Sequence, residues 1–307
     1  MAPARATREV ARGACRSPLV TRLWPTRDAC CTAGVTRPLA PRRAAPVLIP
    51  LVLAASGAIA QNLPLHTEPA LTAHAGTLVF ETGLEAIASE PSYVTGAPRK
   101  RWDGPLLRLV YSPADNVELD LEWVVRVGVW DEAGREVQGS YWGDVSVRAK
   151  WRIVSGRPGR PTLGARFGVV LPQTEFEDEQ FRPLGLGPNS LRAFAEALLS
   201  QPIGSLRLDV NAGLLLHDEV LRPHEQRDFL VYGMALEWAA RPALALVAEL
   251  AGRLGDGMPG AEQRSEARLG LRLGRGRVRG DAALRRGLAA ADGTWGATLG
   301  LAWTARE

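Results

Sequence analysis

Apolar and polar residues alternate along most of this chain. Every odd position from Val117 to Val129 is apolar, and Glu118, Asp120, Glu122 and Arg126 take even ones. A period of two is that of a β-strand with one greasy and one charged face. The run is long enough to cross a bilayer as a tilted strand, which takes about 9–11 residues. Similar segments recur to the C-terminus. The pattern predicts twelve strands, at 77–86, 105–111, 117–130, 143–154, 162–171, 190–200, 205–216, 228–238, 244–254, 265–273, 278–286 and 294–304.

Each strand offers one binary choice of face. In the fourth predicted strand Asp144, Arg148, Lys150 and Arg152 are even, while Val145, Val147, Trp151 and Ile153 are odd. Arg207, Asp209 and Asn211 oppose Leu206, Leu208 and Val210, and Glu266, Arg268 and Arg272 oppose Ala267, Leu269, Leu271 and Leu273. Such a chain closes as an antiparallel transmembrane β-barrel, apolar outside and charged within. The expected wall of the lumen is Glu118, Asp120, Glu122, Arg126, Asp144, Arg148, Lys150, Arg152, Arg166, Arg207, Asp209, Glu237 and Glu249. A charged side chain at mid-bilayer on the lipid face costs about 2–4 kcal/mol, so Arg286 is expected at a rim. The third and fourth strands predict a hairpin that pairs Glu118 with Arg152, Asp120 with Lys150, Glu122 with Arg148 and Arg126 with Asp144.

Connections alternate in length. Residues 112–116, 155–161, 201–204, 239–243 and 274–277 make short turns; 87–103, 131–142, 172–189, 217–227 and 255–264 make longer loops, and 287–293 falls on the long-loop side. Short periplasmic turns, long outer loops and an even strand count are barrel habits that put both ends of the chain in the periplasm. Trp123, Trp151, Trp238, Trp295 and Trp303, with Trp130 and Trp142, stand near strand ends or on the apolar face. Indole favours the membrane interface, so these are expected interface aromatics. The remaining fold alternative is a soluble two-sheet β protein, which would leave a continuous apolar face for a partner.

Composition changes this picture only at the N-terminus. The 307 residues are 46% hydrophobic, and mean hydropathy is -0.06 because the two faces cancel. Arg42 and Arg43 precede an apolar run, 44–60, that ends in small residues, the form of a secretory signal peptide cleaved after Ala60. Residues 1–40, rich in Arg and Pro, are expected to be an overcalled start or a disordered leader. They hold all three cysteines, Cys15, Cys30 and Cys31, without the spaced partners of a metal site. Residues 61–75 are expected to be a mobile periplasmic segment, 76–304 the barrel and 305–307 a tail. The whole chain is net +4, but residues 1–60 carry nine arginines and two acids; the rest is net −3. A nucleic-acid partner inferred from basicity therefore has no support.

The stretch Gly143-Asp144-Val145 through Lys150-Trp151-Arg152, then 163–172, then Tyr232-Gly233 with Glu237 and Glu249, resembles a family of outer-membrane transporters named for the MetA pathway of phenol degradation. Leu284-Arg285-Arg286-Gly287-Leu288 followed by Trp295–Leu301 is similar to that family's closing hairpin. The resemblance spans about residues 76–304. It implies a bacterial outer-membrane barrel that passes small solutes, aromatic or hydrophobic ones among them; the signal peptide predicts export through the periplasm by the Sec route.

Candidate chemistry is sparse. His66 and His74 precede the barrel; His217 and His224 share a loop with Asp218, Glu219 and Glu225 in no recognised ligand pattern. A membrane-embedded esterase would need a Ser beside a His, and His217 has none in its loop. No catalytic residue, metal or cofactor is therefore expected. The acidic run Glu175–Glu179 fits a solvated surface loop or a cation bridge to lipopolysaccharide. Arg99-Lys100-Arg101-Trp102 fits a basic loop or a contact with lipopolysaccharide phosphates. Expected partners are outer-membrane lipid, lipopolysaccharide, a small solute and the barrel-assembly machinery. Three functions follow: a passive channel, a non-conducting structural or surface barrel, and, least, the esterase.

Overall fold

The computed structural model describes residues 63–92, 96–131, 141–157, 159–173, 190–218, 225–255 and 261–306. The leader, the signal segment, the acidic run 175–179, Glu219 and His224 lie outside them. Among the described residues there are thirteen strand segments: β1 (Leu78–Pro91), β2 (Pro98–Ala114), β3 (Val117–Val124), β4 (Val127–Asp131), β5 (Val145–Val154), β6 (Thr162–Leu171), β7 (Arg192–Ile203), β8 (Leu206–Asp218), β9 (Gln226–Arg241), β10 (Leu244–Arg253), β11 (Arg264–Arg275), β12 (Val278–Gly287) and β13 (Trp295–Arg306). Each pairs antiparallel with its neighbours, and β1 bonds both β2 and β13, so the sheet closes on itself. Closure pairs the strands around the barrel and removes the open edges of a flat sheet; among the described residues the second side of β4 carries the bridge Val127–Tyr141. β3 and β4 pair with successive parts of β2 and are two halves of one interrupted strand, which makes the barrel twelve-stranded.

The binary pattern sorts as its period demands. Leu119, Leu121, Val147, Phe167, Leu214, Leu230, Met234, Leu269, Leu284 and Leu299 are exposed on the outside. Glu81, Arg108, Glu118, Asp120, Lys150, Asp209, Glu249, Arg268 and Asp281 are buried on the inside. This inverts the order of a water-soluble protein, and with it the two-sheet alternative fails. At one end the strands are joined by short turns. Gly204 (φ 63°) and Gly276 (φ 61°) occupy the left-handed region there, which a residue with a Cβ enters at a cost.

Four expectations are corrected. First, 87–103 is not a long loop: β1 runs to Pro91 and β2 starts at Pro98. Ser89, at φ 55°, accompanies a register shift that turns Glu90 inward after Ile87. Arg99 and Arg101 therefore face the lumen from within a strand and do not form a basic surface loop. Second, 117–130 is not one uniform strand. Pro105, which has no N–H, lies opposite Val125 and Arg126, and the ladder there bulges. The bulge switches the faces, so Val127 and Val129 are buried with Tyr141 on the inner side, paired with Asp103 and Arg101. Third, the final strand continues through the expected tail to Arg306. Fourth, residues 63–73 are not a mobile segment outside the barrel but lie within it, and 74–77 lead out past the turn between β2 and β3.

Candidate functional site

The lumen site is built by side chains from every part of the wall closing on residues 63–77. The segment's backbone N–H groups donate to wall oxygens: His66 N to Glu249 Oε1 at 2.8 Å, Ala70 N to Ser200 Oγ at 2.8 Å, Ala73 N to Glu118 Oε1 at 2.6 Å and Ala75 N to Asp115 Oδ1 at 2.8 Å. Thr67 N also donates to Glu249. Wall guanidinium groups donate in return to segment carbonyls, Arg268 to Pro64 O at 2.9 Å and Arg279 to Leu63 O at 3.2 Å. Leu65 packs on Ala235 and Val247. A buried irregular segment must have its backbone groups satisfied, and here wall carboxylates do what a neighbouring strand would otherwise do.

Glycines make the room. A Cβ on Gly233 would lie 2.5 Å from Thr67 Oγ1, and one on Gly300 would lie 3.3 Å from Leu63. The segment rises from Leu63, beside Arg272 and Arg279 near the short-turn end, to His66–Glu68 deeper inside. It then descends past Ser200 and Glu118 to Asp115 in the turn between β2 and β3.

Glu68 is the deepest charge of the segment, and its side chain is 1% exposed. Lys150 Nζ lies 3.0 Å, Arg166 Nη1 3.2 Å and Arg108 Nη2 3.4 Å from its carboxylate. With its side-chain amide turned to satisfy both groups, Asn211 bonds the Glu68 backbone N and O at 2.8 Å each. Burying a lone carboxylate is costly, and the three cations around Glu68 offset that cost.

The expected wall residues take the following places. Glu118 faces Lys150, with Nζ 2.6 Å from Oε2, and Asp120 faces Arg148 at 3.1 Å. The hairpin register is thus two residues away from the expected one. The alternation of faces survives a shift of two, and charge matching alone does not separate the two registers. Arg148 also reaches Glu122 at 2.6 Å, although Glu122 stands opposite Ser146. Arg152 does not meet Glu118; it donates to Asp115 O at 2.8 Å in the turn. Arg126 is exposed at the bulge rather than part of the inner wall, and Asp144 pairs instead with Arg192 on β7. Arg166 bonds Glu196 at 2.5 Å, and Arg207 bridges Asp209 at 2.9 Å and Glu237 at 3.1 Å. Glu249 serves the segment and lies 3.8 Å from Arg268.

The sequence pattern did not single out Glu68, Glu81, Arg108 or Arg279. Glu81 and Arg108 follow the inward parity of β1 and β2, a signal that was readable; Glu68 sits in an irregular segment with no parity to read. His66 is engaged with Glu266, 3.1 Å away, and Arg268. His217 is buried on the inner face, stacked on Phe229 at 4.7 Å. It therefore does not present the lipid-facing histidine that an embedded esterase needs. Among the described residues no three potential ligands group to hold a metal.

On the long-loop side of the segment lies a cavity of about 600 Å³. Leu65, His66 and Thr67 form its floor, and its wall carries nine arginines and seven acidic residues. Outside, Trp123 stacks on Trp142 at 5.3 Å and Trp102 on Trp130 at 6.3 Å toward the long-loop end. There too Arg286, at the end of β12, lies 4.8 Å over the Trp295 ring. Trp151, Trp238 and Trp303 are exposed toward the short-turn end. Two aromatic belts thus flank an apolar band, the arrangement a bilayer selects.

No family model matches the chain, and no curated protein matches it. Among solved structures it is similar to an outer membrane channel from Pseudomonas putida F1, at TM-score 0.59 and 16% identity, covering 76% of this chain and 97% of that one. At TM-score 0.45 it also aligns with the translocator domain of autotransporter NalP from Neisseria meningitidis (15% identity, 74% and 88% covered) and with the KdgM porin (8% identity, 73% and 98% covered). The first of these likenesses establishes the fold as that of an outer-membrane β-barrel.

Proposed function

We propose that this protein is a passive outer-membrane channel for small solutes, with its short turns and both chain ends in the periplasm. One observation carries the proposal: the closed barrel encloses a charged cavity of about 600 Å³, a volume suited to a small molecule. The resemblance of residues 76–304 to the MetA-pathway transporters supports the same function and suggests aromatic compounds among its solutes. The residues expected to filter solutes are those that line the cavity, including Glu122, Arg148 and Arg166, because mixed charges at a constriction select by size and charge. Glu118, Asp120 and Lys150 instead anchor the inner segment and its neighbours.

A specific observation favours a second function, a non-conducting barrel: residues 63–73 occupy the lumen and bond to the wall along their length. Liposome swelling separates the two. Proteoliposomes of refolded protein are expected to swell in small solutes and not in large ones. Absence of swelling with every solute would support the non-conducting barrel.

A further inference from the structure

The inner segment brings a single acidic side chain to the wall, Glu68. We infer that the cage of Arg108, Lys150 and Arg166 is a carboxylate-binding site of the barrel, which the chain's own Glu68 occupies and for which small carboxylate solutes compete. Three observations support this site.

The cage is held in shape without Glu68. Arg108 is fixed by Asp120 at 2.5 Å and Glu81 at 3.3 Å, Lys150 by Glu118 at 2.6 Å, and Arg166 by Glu196 at 2.5 Å. Donors fixed by their own partners lose little freedom when a ligand arrives, which is what makes a site preorganised. The three cations come from β2, β5 and β6 and converge on one carboxylate, a stronger arrangement than neutral hydrogen bonds supply.

The rest of the segment is held in a different way. Glu249, Ser200, Glu118 and Asp115 accept from its backbone N–H groups. Those bonds are indifferent to the segment's side chains, so the specific anionic recognition in its docking is concentrated at position 68. The third observation is access. Arg108, Arg166 and Asn211 line the cavity on the long-loop side. A carboxylate entering there meets two of the three cations directly, with the Asn211 side chain beside them.

The inference deepens the proposed channel by naming a solute class and rests on it only for transport, not for binding. The test uses the full chain refolded in detergent, with benzoate as probe and benzamide as its neutral counterpart, at matched ionic strength. Amide exchange of residues 63–77, read by mass spectrometry, is expected to speed up severalfold with benzoate and stay unchanged with benzamide. In Glu68→Gln the tethered competitor loses its charge, so benzoate should bind about tenfold tighter by calorimetry, equivalent to about 1.4 kcal/mol. Heat-modifiable migration in gels confirms the barrel for each protein, and the wild-type arm decides even if the variant does not fold. Benzoate and benzamide acting alike, or Glu68→Gln binding benzoate no better than wild type, would overturn the site. A protein that binds benzoate yet swells no liposome keeps the site and removes the channel; one that conducts and ignores benzoate does the reverse.

Discussion

One hydrogen atom at position 233 decides whether residue 67 can lie against the wall. A Cβ on Gly233 would come within 2.5 Å of Thr67 Oγ1, so Gly233→Ala forces the segment to shift. Overpacking of this kind costs about 1–3 kcal/mol. Amide exchange of residues 63–77 should rise in this variant while heat-modifiable migration stays that of wild type; unchanged exchange would show that the contact is relieved locally. At this scale the sequence is only partly legible. The inward acids and bases of regular strands follow from parity, as Glu118, Asp120, Arg207 and Asp209 do. Glu68 does not, because its environment is set by residues 40–143 positions away that meet it only after closure.

Period and turn chemistry located the strands, and two of the misreadings, at 87–103 and within 117–130, are places where the ladder changes phase. Ser89 and the step at Pro105, Val125 and Arg126 each shift the ladder, and the alternating face of 117–130 changes side midway. The β3–β5 register shows the limit of charge matching, since two offsets that differ by two residues both pair opposite charges. Energetics separate them. A double-mutant cycle on Glu118 and Lys150 should give a clear coupling, because breaking a buried ion pair costs about 3–5 kcal/mol. The same cycle on Glu118 and Arg152 should give almost none, as Arg152 bonds the Asp115 carbonyl. On the outer face Leu269 is 68% exposed, and Leu269→Arg should cost about 2–4 kcal/mol where it meets lipid. Unfolding titrations in vesicles measure this. A cost near zero would take Leu269 out of the membrane.

Over the whole molecule, the apolar exterior, the two tryptophan belts and the charged interior are one solution to one constraint. A spanning sheet must close, face lipid with apolar side chains and keep its charges inside. That architecture was readable from the twelve-fold repetition of one amphipathic pattern. The contents of the lumen were not, because an irregular segment carries no period and its place is fixed by wall groups scattered over the sheet. The most direct test of the account is single-channel conductance in planar bilayers, comparing refolded wild type with a protein lacking residues 63–76 that still shows heat-modifiable migration. The account predicts small discrete steps for wild type and clearly larger ones once the segment is gone. Equal conductance from the two proteins, or no steps from either, would contradict it.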